Sequence, residues 1–218
     1  MSYFTIKDES REEFQEKKSV FIGHAKRVHN EEEAREFIDK IKDEFKDARH
    51  NVYAYIIGEN MGIQRYTDDG EPQGTAGIPV LDVIKKNGIT DVVIVVTRYF
   101  GGILLGTGGL VRAYSKAAAM AIDKSGIVEK VKGLPLHINL DYDFLGKVQY
   151  VCGQNLWHIE DIKYTDKVSI SILTETNNCE NIKNKVTEVT SAKAEFIEGE
   201  EKYYFKLENR LYEDKKEN

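Results

Sequence analysis

Cysteine and proline are scarce: the 218 residues hold two cysteines and three prolines. Two cysteines cannot build a disulfide framework, and without a CxxC pair they supply no zinc site. So little proline, with 10% aromatic residues, excludes disorder for most of the chain. Long apolar runs are missing as well. The run Val92 to Val96 is strand-sized, far short of the roughly 20 residues of a membrane span. The opening MSYFTIKDES carries acids and no apolar segment, so no signal peptide is expected. Together these absences point to a cytoplasmic, disulfide-free chain with no membrane partner. A basic excess is absent too. The net charge is −6, which excludes a globally basic nucleic-acid binder. It leaves room for a local basic patch, because binding follows the local field. Residues 1–132 carry 20 Lys and Arg against 21 Asp and Glu, and the remainder carries 11 against 16.

What is present is an ordinary globular composition, 41% hydrophobic and 31% charged, long enough for one large or two small domains. Strands are expected at Tyr3–Ile6, Ser19–Ala25, Val52–Ile57 and Gln64–Thr67. Asn30 before Glu31, Glu32 and Glu33 reads as a helix N-cap with first-turn acids. Ala34, Phe37, Ile38, Ile41 and Phe45 then recur at steps of three and four, one face of a helix. Ala76–Lys86 reads as a helix with Pro79 near its first turn. Asp91–Thr97 is a continuous apolar strand, buried on both faces or nearly so. Leu110–Lys124 follows as a helix stopped by Gly126. Around Lys132–Pro135 the pattern restarts, and a linker is expected there. The order after it is βαββαβ, the split-βαβ, ferredoxin-like arrangement. Domains are thus expected at 1–132 and 133–211, with a charged tail over 212–218.

The segment with most chemistry runs from Thr97 to Arg112. It joins a buried strand to a helix through glycines, including Gly106, Gly108 and Gly109. A helix start offers unpaired N–H groups and the positive end of the dipole. Glycines let an anion approach that backbone closely. Arg112 and Lys116 are four apart and share one helix face, opposite Leu110, Tyr114, Ala117 and Ala121. Arg98, ending the strand, is a third cation for the same point. The pattern suits a phosphate. It is neither a Walker loop nor a GxGxxG fingerprint in register. The competing reading is a close-packed turn that needs glycine for backbone contact.

Asp68, Asp69 and Glu71 lie in a turn with Gly70 and Pro72. Turn chemistry accounts for them without a metal, and the same acids are candidates to pair with Arg98. His50, beside Arg49 just before a strand, is a candidate phosphate contact or base, against the plainer role of a satisfied boundary histidine. Cys152 and Cys179 read as inert. Trp157 reads as core and His158 as edge. No metal or cofactor is expected.

Three blocks are recognisable in order and spacing: Ala48–Tyr55, Asp68–Gly77, and Val95–Gly102 continuing through Leu105–Tyr114. They resemble the IMPACT/YigZ family over roughly residues 1–130, and the remainder looks like the small C-terminal domain of the bacterial members. The resemblance implies an α+β protein. Its first domain would be a two-layer α/β sandwich with a left-handed βαβ crossover, shared with a ribosomal protein and with domain IV of elongation factor G. Its second would be ferredoxin-like, similar to the terminal domain of that factor. Eukaryotic relatives damp the amino-acid-starvation response by competing for the activator of a translation-initiation kinase. That role does not carry over directly to a bacterial-type chain, but the pairing of folds implies contact with RNA or a ribosome. The expected function is a non-enzymatic, translation-linked regulator that binds RNA or a ribosome-associated partner, such as a translation-associated protein, through the glycine-rich anion site. Two alternatives stand beside it: an enzyme acting on a phosphorylated small molecule at the same site, and a pure protein-interaction module.

Overall fold

A computed structural model describes residues 2–214, which divide into two compact units, Tyr3–Val128 and Ser2 together with Glu129–Asp214. The first unit runs β1 (Ser2–Ile6), β2 (Ser10–Glu16), β3 (Ser19–Arg27), α1 (Glu31–Glu44), β4 (His50–Ile57), β5 (Ile63–Thr67), α2 (Gly77–Lys86), β6 (Val92–Tyr99) and α3 (Thr107–Ser125). Its main sheet has the order β2-β3-β6-β4-β5, with every neighbouring pair antiparallel. β3 and β4 therefore run parallel on either side of β6, and α1 makes the crossover between them. The Asn30 side chain accepts the Glu33 N–H at 2.8 Å and starts α1 as the sequence predicts.

β6 explains the layering. Val92, Ile94 and Val96 pack into one core with α2 and α3, while Val93 and Val95 pack into another with Phe37, Ile38 and Ile41 of α1. A strand apolar on both faces needs cover on both. The domain is α/β as expected, with α2 and α3 packed on one face of β6 and α1 on the other. β2 is the element that the sequence analysis leaves out. It is a highly charged edge strand, SREEFQE, and Phe14 is the one apolar side chain it contributes.

In the second unit β7 (Ile127–Leu140) is followed by α4 (Leu145–Gln154), β8 (Ile159–Tyr164), β9 (Val168–Glu175), α5 (Cys179–Val189), β10 (Glu195–Glu198), β11 (Lys202–Leu207) and β12 (Arg210–Tyr212). Antiparallel pairing places β10 beside β7, β7 beside β9 and β9 beside β8, the ferredoxin-like order. Val148, Cys152, Ile182 and Val186 of the two helices pack on Leu136, Ile138, Ile170 and Ile172. β11 and β12 add a hairpin against the earlier half of β7.

The linker expected at residues 132–135 is a correction. These residues sit inside β7, and Gly133 pairs with Lys202 on one side and Glu175 on the other. The glycine marks close packing, since a Cβ there would lie 2.7 Å from both Leu211 Cδ1 and the Thr174 carbonyl oxygen. Of the tail expected from residue 212, Tyr212 closes β12, and residues 215–218 lie outside the described residues. No described helix is long and apolar enough to cross a membrane.

Candidate functional site

The signature blocks of the first unit converge on one end of its sheet. Register brings His50 of β4 opposite Arg98 of β6, and Arg98 opposite Phe21 of β3. Arg98 is buried, and its Nη1 donates to Glu71 Oε1, also buried. The same carboxylate oxygen accepts from Tyr114 Oη of α3 at 2.8 Å. His50 Nε2 lies 3.8 Å from it, while His50 Nδ1 donates to the Asp69 carbonyl at 2.7 Å. Burial pushes the Tyr114 hydroxyl up, and the adjacent Glu71 charge pushes it further. The Arg98 guanidinium also stands over the rings of Phe21 and Phe100. Arg98 and His50 are therefore turned inward, and the charge of Arg98 is matched by Glu71. The pairing of a turn acid with Arg98 is one role the sequence suggests, and Glu71 is the acid that takes it.

The other two acids build the turn. The Asp68 carboxylate accepts N–H bonds from Gly74 at 2.8 Å, Ala76 at 3.1 Å and Gly77 at 2.8 Å, which ties the loop to the start of α2. Asp69 Oδ2 accepts from the Asn51 N–H at 2.6 Å. The three carboxylates thus serve three different partners. Among the described residues no group of three or more His, Cys, Asp or Glu is placed to hold a metal ion.

A second polar chain crosses the sheet at His24. Arg11 Nε donates to its Nδ1 at 3.3 Å, which leaves the proton of the neutral ring on Nε2, 3.3 Å from Thr97 Oγ1. Thr97 Oγ1 in turn donates to Asn51 Oδ1 at 2.7 Å. Burial lowers the His24 pKa to about 4, and the Arg11 charge adds to the shift. The unfolded chain takes up this proton near 6.5, so it binds protons better than the folded state between the two values. Stability therefore falls as pH drops from about 6.5 to about 4, by about 3 kcal/mol from this group. Melting curves of wild type and His24→Gln over this window should show the slope shrink in the variant. An identical slope would contradict the assignment.

The helix start itself faces solvent. α3 begins at Thr107, three residues earlier than expected, behind Gly106 at φ +73° with no side-chain cap. Such a backbone suits glycine. Thr107, Gly108 and Gly109 keep N–H groups without an acceptor among the described residues, and the ladder opens with Leu110 N–H to Gly106 O at 2.9 Å. Arg112 is exposed and folds back over this turn, its Nη1 3.5 Å from where a Gly108 Cβ would be. Lys116 is exposed too, but its Nζ is drawn over the Phe14 ring, 4.3 Å from the centroid. Gly101 has the opposite role: a Cβ there would lie 1.9 Å from the Lys18 carbonyl oxygen. Close packing thus accounts for Gly101 and for Gly109, where a Cβ would lie 2.9 Å from Leu105 Cβ, while nothing lies within 4 Å of a Cβ placed on Gly106.

Several residues of this end escape a linear reading. Lys17, Lys18 and Arg49 are exposed, and no carboxylate lies within 4.0 Å of them among the described residues. Tyr114 is legible as core, not as a partner of Glu71. In the second unit Cys152 and Cys179 are buried free thiols, and burial pushes Cys152 up to about 11. Trp157 packs on the core and His158 is exposed at the edge, as expected.

The Impact N-terminal domain matches residues 17–122, and a domain of unknown function (DUF1949) matches residues 138–193. The chain is 42% identical over 212 residues to the IMPACT family member YvyE of Bacillus subtilis (strain 168), covering 97% of this chain and 98% of that protein. It is also 42% identical over 94 residues to the Protein IMPACT homolog of Dictyostelium discoideum, which covers 42% of this chain and 27% of that protein. A solved structure titled a crystal structure of an hypothetical protein superposes with a TM-score of 0.59 at 28% identity, over 90% of this chain and 96% of that one.

Proposed function

The chain belongs to the IMPACT family, and from that premise we propose that it is a non-enzymatic, translation-linked cytoplasmic protein that binds RNA of the translation machinery. The link to translation comes from the family. The binding chemistry comes from the chain's own residues. One observation carries it: the start of α3 leaves three N–H groups uncapped, and the exposed Arg112 guanidinium reaches back to Gly108 of the same turn. Backbone donors and a cation at a helix start suit a phosphate oxygen. Lys116, Lys17, Lys18 and Arg49 supply further exposed cations. Arg98 and His50 act behind this surface as supports, since both face Glu71.

The non-enzymatic reading is supported by how the titratable groups are spent. Glu71 serves Arg98 and Tyr114, and His50 donates to Asp69. None is left as a solvent-facing acid or base. The test is cosedimentation with ribosomes and polysomes at two salt concentrations. Binding at low salt that falls steeply at high salt supports the proposal, because phosphate contacts release counterions. No association at low salt refutes it.

A further inference from the structure

Phe100 follows β6 directly, and the residue is 37% exposed. Two guanidiniums stand over it, each with its carbon 5.5 Å from the ring centroid. The two differ in kind. Arg98 is buried and held by Glu71, so it is a fixed support. Arg49 is exposed and has no carboxylate within 4.0 Å among the described residues. Only its root is fixed, by a backbone N–H bond to the Arg98 carbonyl at 3.2 Å. The loop that carries the ring is pinned as well, through the contact of Gly101 with the Lys18 carbonyl. Beside it lies open space, with nothing within 4 Å of a Cβ placed on Gly102.

The result is a positioned aromatic face with a displaceable cation over it, in a loop packed against the turn that carries the exposed Lys17 and Lys18. A flat π-system attached to a phosphate fits this chemistry, and an unpaired nucleobase is such a group. We infer that Phe100 is a stacking platform for an unpaired base of single-stranded RNA, with Arg49 closing over the base or its phosphate. This inference deepens the RNA reading above and rests on it. It adds a strand preference that phosphate binding alone lacks, because a duplex keeps its bases stacked on one another.

The test uses the full chain and a single-stranded RNA decamer with a central 2-aminopurine, whose fluorescence is quenched by stacking. Wild type should quench it. Phe100→Ala should lose the quenching and bind about tenfold weaker, about 1.4 kcal/mol, and Phe100→Trp should keep both. The same sequence as a duplex should bind at least about tenfold weaker, and adenosine monophosphate at least about 100-fold weaker. Thermal melts of Phe100→Ala should match wild type, since the position is exposed. Unchanged affinity and quenching in Phe100→Ala, or equal binding of the duplex, overturns the stacking inference while RNA binding stands. Adenosine monophosphate binding as tightly as the decamer overturns RNA as the ligand in favour of a nucleotide. No RNA bound by wild type at low salt removes both.

Discussion

Replacing Glu71 by alanine should cost the first domain about 3–5 kcal/mol, the usual effect of stripping one partner from a buried ion pair. Arg98 would stay buried with an unmatched charge. Tyr114, also fully buried, would lose the acceptor for its hydroxyl. A loss of this size shifts the melting temperature down by roughly 10–20 °C. Glu71→Gln should fall between alanine and wild type, since the amide oxygen still accepts from Tyr114 but brings no charge. Coupling is the sharper readout. With Arg98→Met added, the Glu71→Ala protein no longer carries the stranded guanidinium and should recover part of the loss. Melting within about 2 °C of wild type for Glu71→Ala alone would show that the pair does not hold this end of the sheet.

The second large effect concerns binding. Arg112→Glu with Lys116→Glu should weaken association with RNA by at least about 100-fold, since two charge-assisted contacts at roughly 1.5 kcal/mol each are lost. The fold should survive. Both side chains are exposed, and the buried stripe of α3 is Leu110, Ala113, Tyr114, Ala117, Ala118, Ala121 and Ile122. Ribosome cosedimentation and a thermal melt of the double variant check the two halves of this statement. Unchanged binding by the folded variant would place the RNA contact away from α3.

What was legible in the sequence follows from how far each signal reaches along the chain. The α1 face was legible because its apolar positions recur within one helix, and its cap lies next to it. The βαββαβ order was legible because each element of the second domain carries its own period. β2 was not, because an edge strand can be charged on its exposed side and contribute a single inward ring, Phe14. The passage of β7 through Gly133 was hidden because a glycine and a proline close together also mark a turn. Only the strands on either side show that the glycine is there for packing.

At the candidate site the division is similar. Gly106–Gly109, Arg112 and Lys116 are neighbours in sequence, and their shared helix end was read directly. The cluster of Glu71, Arg98, Tyr114 and His50 is assembled from four distant segments. One local signal did point to it: an arginine ending a strand that is apolar on both faces must find a carboxylate. Arg49, Phe100 and the Lys17–Lys18 turn have no such signal, because their proximity is made by the β3-β6-β4 register and by the Gly101 contact.

The central claim is that exposed cations around the α3 start and Phe100 bind RNA through its phosphates. Equilibrium titration of single-stranded RNA with the wild-type chain over a series of salt concentrations tests it most directly. Each phosphate contact on a single strand contributes about −0.7 to the slope of log K against log salt. Three to five contacts from Arg49, Arg112, Lys116, Lys17 and Lys18 predict a slope of roughly −2 to −4. A slope near zero, or no binding at low salt, would contradict the account.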